Sequence, residues 1–167
     1  DRQSKSLTNA ELSTLWPYLL ESDPHQGYRI AKHIGPEKTT SLWQQQLEAV
    51  RKTPNPKLAE ELAKTMVFVE ESKQLQALND LLKLEKPPSY LDMASVTLAK
   101  DNQMPAAKML AGRGITPQIE TANVAASAWA DWTLTLEPGK IRDGLLDQVR
   151  RKIIGSNRNA AEELNEV

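Results

Sequence analysis

A helix interior rejects proline, because the ring removes a backbone donor and crowds the carbonyl four residues earlier. This chain carries ten prolines, yet its apolar residues recur at helical spacing. The conflict resolves once the prolines are placed. Pro24 follows Asp23, Pro36 follows Gly35, Pro56 follows Asn55 and Pro117 follows Thr116. Each reads as the first position of a helix, where a missing N–H loses no partner. Pro87-Pro88 and Pro138-Gly139 read as stops. Pro17 lies inside an apolar stripe and is expected to bend its helix, since it removes the bond to Ser13.

Between the prolines the residues are helix formers. Leu occurs 22 times against 14 for Ile plus Val, Ala 18 times and Glu 14 times, while Gly occurs only seven times. Residues that favour strands are thin by comparison. The spacing predicts helices starting near residues 8, 23, 36, 56, 72, 89, 105, 117 and 140. Thr8 and Glu11 form a capping box ahead of Leu12, Leu15, Trp16 and Leu19. Asn55 caps a stripe of Leu58, Leu62, Thr65, Met66 and Val69. The apolar phase then slips, which predicts a break near Glu71-Ser72. Ser89 caps the helix that follows Pro87-Pro88. Pro105 opens a short helix closed by Gly112 and Gly114. Thr116-Pro117 starts the longest late helix, with Ile119, Ala122, Ala126, Trp129, Thr133 and Leu136 on one face. Gly155-Ser156-Asn157 ends the ninth helix. Trp132 to Leu136 alternates apolar and polar, so it is the one candidate strand, although it has no partner.

Helix pairs therefore recur at roughly 30 residues. The expected fold is all-α: consecutive antiparallel helix hairpins, as an α-solenoid or a compact helical-repeat bundle. It is read as a single domain over 1–167, with a softer boundary near 86–89 and a frayed tail over 156–167. The net charge of −1 argues against a globally electrostatic nucleic-acid binder. The longest stretch free of charged residues, Thr121 to Ala130, is too short to span a bilayer. The absence of cysteine removes disulfides and thiolate chemistry and leaves both a cytoplasmic and an exported location open.

The opening Leu7-Thr8-x-x-Glu11-Leu12-x-x-Leu15-Trp16-x-x-Leu19, with Asp23 and then Gly27-Tyr28-Arg29, carries a resemblance. It resembles the start of HEAT-like helical-repeat domains of large multidomain bacterial proteins of the planctomycete type. The resemblance covers about the first 30 residues. It implies a helical adaptor without catalysis.

No residue pattern points to a reaction. There is no nucleophile elbow, phosphate loop or thiol. His25 and His33 are eight residues apart, but Pro24 and Gly35-Pro36 separate each from its nearest glutamate. No metal and no cofactor is expected. The pairs Glu60-Glu61, Glu70-Glu71 and Glu162-Glu163 read as solvated faces, because adjacent helical residues diverge by about 100°.

Two features are candidates for binding. Lys140 to Arg158 holds six basic and two acidic residues, with Arg150, Arg151 and Lys152 together. These cations can offset a helix C-terminus, meet an acidic partner, or contact nucleic acid; no aromatic is interleaved for base stacking. Trp129 and Trp132 stand three apart. Trp129 shares the apolar stripe and is expected in the core, whereas Trp132 is expected at a groove edge. The sequence therefore predicts a non-enzymatic scaffold or protein-interaction module of a larger or exported protein, with Trp132, Arg150, Arg151 and Lys152 as binding residues. The alternative is a nucleic-acid-associated domain using residues 140–158. A protein partner is expected and nucleic acid is the less favoured one.

Overall fold

A computed structural model describes residues 8–166, with side chains described except at 9, 13 and 157–166. The chain is all-α, with no strand among the described residues. Among the described residues there are nine α-helices: α1 (Asn9–Ser22), α2 (Pro24–Ile34), α3 (Pro36–Lys52), α4 (Pro56–Thr65), α5 (Gln74–Leu82), α6 (Ala94–Thr97), α7 (Lys100–Gly112), α8 (Ala126–Thr133) and α9 (Lys140–Glu166). Short 3-10 turns cover Met66–Phe68, Glu71–Lys73 and Ser89–Met93. Two compact units meet in the chain between Leu91 and Asp92.

In the first unit the start signals act as the prolines foretell. Thr8 accepts from the Glu11 N–H at 3.2 Å, Asp23 from Gln26 N–H at 3.4 Å and Asn55 from Leu58 N–H at 3.2 Å. Pro24, Pro36 and Pro56 each occupy the first helical position. Gly35 turns the chain between α2 and α3 with φ at 89°, a left-handed value that a side chain would strain. Pro17 stands within α1, which runs on past it.

Two tryptophans tie these helices together. Trp16 and Trp43 are fully buried. The Trp16 indole donates to the Gly27 carbonyl at 3.1 Å, joining α1 to α2. The Trp43 indole donates to the Leu62 carbonyl at 2.9 Å, joining α3 to α4. At Gly27, α2 lies close against Leu20 of α1. A methyl group there would lie 2.7 Å from Leu20 Cδ2, and Leu20 is itself fully buried. Gly27→Ala should therefore lower stability by about 1–3 kcal/mol through overpacking, despite alanine's better helix propensity. Urea unfolding measures it; a neutral or stabilising result would show that Leu20 has room to move.

The link from α4 to α5 starts earlier than the phase slip at Glu71-Ser72 suggests. The helix ends at Thr65, whose hydroxyl turns back to the Glu61 carbonyl at 2.9 Å. Gln74, buried at the head of α5, then donates to the carbonyls of Val67 (3.2 Å) and Val69 (3.3 Å). Thr40 accepts from the Glu70 N–H at 2.9 Å. These side chains take backbone groups that a continued helix would have paired.

The second unit departs more from expectation. Ser89 opens a 3-10 turn and the short α6, rather than a full helix. The next helix, α7, begins at Lys100, so Pro105 lies inside it and not at its start. Gln103 accounts for the earlier start: from the head of α7 it donates to the carbonyls of Val96 (3.4 Å) and Leu98 (3.0 Å). The end of α7 is a Schellman cap. Ile115 N–H donates to Leu110, Gly114 N–H donates to Ala111, and Gly114 takes φ 78°.

The predicted long helix from Thr116-Pro117 to Leu136 is absent; only Ala126–Thr133 is helical there. The backbone ahead of it bonds to side chains instead. Gln148 accepts from Ile119 N–H (2.6 Å) and Glu120 N–H (3.1 Å) and donates to the Pro117 carbonyl (3.0 Å). Gln103 accepts from Asn123 N–H at 2.8 Å. Ile119 and Ala122 still reach the core, beside Ala107, Trp129, Leu145 and Val149. The candidate strand at 132–136 is likewise overturned: Trp132 and Thr133 complete α8, and turn bonds from Thr135 to Trp132 and from Leu136 to Thr133 follow. Gly155-Ser156-Asn157 does not stop α9, which continues to Glu166.

Candidate functional site

Two of the basic residues of α9, Arg151 and Lys152, are engaged by their own unit. Lys152 donates to the carbonyls of Ala122 (2.7 Å) and Glu120 (3.3 Å). Arg151 pairs with Glu120 and with Asp147 one turn earlier. The Glu120 hydrogen bond, joined by the charges of both carboxylates, raises the Arg151 guanidinium above its ordinary value. Arg150 stands exposed. Of this triplet, two members hold the non-helical loop before α8.

Trp132 is half-buried against the core cluster, 5.9 Å from the Trp129 ring and tilted by 57°. Trp129 is fully buried. Trp132 is expected at a groove edge; the structure packs it on the border of the core cluster, and none of the described cavities is lined by it. Leu134, exposed at 59%, lies just beyond it.

A denser constellation lies in the first unit. The chain has four Trp, three Tyr and one Phe. Three of the tryptophans are fully buried. The Phe and two of the tyrosines gather at one place instead. Tyr28 from α2 and Phe68 from the turn after α4 stand 6.2 Å apart and tilted by 42°. Lys32, one turn after Tyr28, places its ammonium 5.9 Å from the Phe68 ring centre. Lys64 of α4 does the same over Tyr90 at 5.9 Å. All three rings are half-buried, and both lysines are exposed.

Glu61 anchors the cluster. It is only 6% exposed. It accepts from the Tyr28 hydroxyl at 2.6 Å and pairs with Lys64 at 3.5 Å. Burial, then the hydrogen bond and charge of Glu61, push the Tyr28 hydroxyl well above the usual tyrosine range. Tyr28 therefore stays a neutral donor to a buried acceptor. The reading of Glu60-Glu61 as a solvated pair is overturned. Glu61 is three residues after Leu58 and four before Thr65, so it lies within the buried stripe of α4. Glu60 is also engaged, accepting from the Ser89 hydroxyl at 3.0 Å and from its N–H. Glu70 pairs with Lys73 at 3.3 Å. The side chains of Glu162-Glu163 lie outside those described.

No family model, curated protein or solved structure matches this chain. What the molecule can do rests on its own chemistry. His25 and His33 are exposed. Among the described residues, no three of His, Cys, Asp and Glu gather as a metal ion would require. No described helix is long and apolar enough to cross a membrane. A groove of about 540 Å³ opens between α3 and the turn at Glu71–Lys73, lined by polar and apolar side chains including Glu37, Ser41, Gln45 and Glu70.

Proposed function

We propose that this chain is a non-catalytic helical scaffold, its hairpins stacked as in HEAT-like repeat domains, that holds a protein partner. One observation carries this reading: the same glutamine clasp occurs twice, 29 residues apart. Gln74 stands first in α5 and Gln103 fourth in α7, and each reaches back seven and five residues to two carbonyls of the segment before its helix. The buried residues around them keep step. Val69, Ala77, Leu78 and Leu81 in one segment answer to Leu98, Ala106, Ala107 and Leu110 in the other. A helix–turn–helix unit cannot bury its apolar face alone, which is why such units are used in stacks.

The nucleic-acid reading of residues 140–158 is weakened by the bonds of Arg151 and Lys152 within their own unit. Reconstitution tests the choice. A protein captured on the pure chain is titrated against it by calorimetry, with an oligonucleotide as competitor. The scaffold reading expects a stoichiometric complex that the oligonucleotide does not displace, with the partner chemically unchanged. Conversion of the captured molecule would make the chain an enzyme. Displacement by the oligonucleotide, with the steep salt dependence of counterion release, would favour the nucleic-acid reading.

A further inference from the structure

We infer that the cluster of Tyr28, Phe68 and Tyr90 with Lys32 and Lys64 is the docking site for an acidic segment of a protein partner that carries apolar anchor residues. The inference rests on the scaffold reading and assigns it a surface. Three half-buried rings give a partner's apolar side chains flat, rigid area at little entropic cost. Their arrangement is fixed from beneath by the Tyr28–Glu61 hydrogen bond and the Glu61–Lys64 pair.

Charge selects the partner. Helix α2, which supplies Tyr28, carries His25, Arg29, Lys32 and His33 and no carboxylate along its whole length. All four are exposed. On α4, Lys57 and Lys64 share a face with Glu60 and Glu61, so that helix adds no net charge. Glu60 is held by Ser89, and the buried Glu61 carboxylate is shared between Tyr28 and Lys64, so the net positive charge of this surface comes from Arg29 and Lys32 of α2. A segment bearing aspartate or glutamate meets that charge, and complementary charge speeds encounter and fixes register.

The same cations argue against nucleic acid. Bases bind such clusters by stacking on open ring faces. Here an ammonium already lies over Phe68 and another over Tyr90. One face of each of these two rings is thereby taken from a base.

The test uses a fluorescein-labelled peptide of alternating aspartate and leucine, with binding read by anisotropy against the full chain. The expected result is saturable binding, with affinity reduced tenfold or more by Lys32→Glu and by Arg29→Glu, and retained in Lys32→Arg. Both charge-reversed positions are exposed, and circular dichroism confirms that each variant folds. A peptide with lysine in place of aspartate should not bind. Absence of saturable binding overturns the inference. So does binding unchanged by both charge reversals, or preferential displacement by a single-stranded oligonucleotide. Binding that survives Lys32→Glu but is lost in Trp132→Ala would leave the scaffold reading intact and move the site to the second unit.

Discussion

Trp43→Ala should cost about 3–5 kcal/mol, the range for deleting a large buried aromatic. The indole is 1% exposed, and its N–H serves the Leu62 carbonyl across the α3–α4 interface. Comparison with phenylalanine separates packing from hydrogen bonding. Trp43→Phe deprives that carbonyl of its indole donor. Trp129 is equally buried, but its Nε1 finds no acceptor among the described residues. Trp129→Phe therefore removes a donor that contributes nothing, and Trp43→Phe should be the costlier by about 1–2 kcal/mol. Urea unfolding of both variants, at unchanged m-value, gives the difference. Equal losses would mean that the Leu62 carbonyl finds another donor once the indole N–H is gone.

Gln148→Leu should rank next, at about 3–5 kcal/mol. The side chain is 4% exposed and satisfies three backbone groups of the loop before α8. Leucine has similar bulk and no polar atom, so those groups would be left without partners at about 1–3 kcal/mol each. The amides of Ile119 and Glu120 should then exchange with solvent much faster, while those of α3 in the first unit keep their protection. A loss below 1 kcal/mol with unchanged exchange would show that the loop holds its shape without Gln148.

Helix starts were legible wherever the cap was local. Thr8, Asp23 and Asn55 each bond to an amide three residues on, and the following proline or glutamate reinforces the signal. Stops and interior breaks were harder because distant residues decide them. Nothing between Thr116 and Leu136 announces that Gln148, Gln103 and Lys152 claim its backbone. Pro105 looked like a start because proline usually is one; the bonds of Gln103 placed the start five residues earlier.

The candidate site was legible only in part. The partial burial of Trp132 beside the buried Trp129 agrees with their three-residue spacing in α8. The basic triplet was visible as charge, but its bonds to Glu120 and Ala122 span about 30 residues of sequence. Tyr28, Phe68 and Tyr90 come from three separate segments, and no spacing brings them together. Glu61 was the available clue: a carboxylate in phase with Leu58 and Thr65 needs a buried partner.

The glutamine clasps also bear on the order in which the chain assembles. Each closes a ring over seven residues or fewer, so little chain entropy opposes it. Contacts this local form early, since no long search precedes them. Gln103 then has its carbonyl oxygen left for Asn123, twenty residues further on. A turn set by its own neighbours thus becomes the landing point for a segment that arrives later.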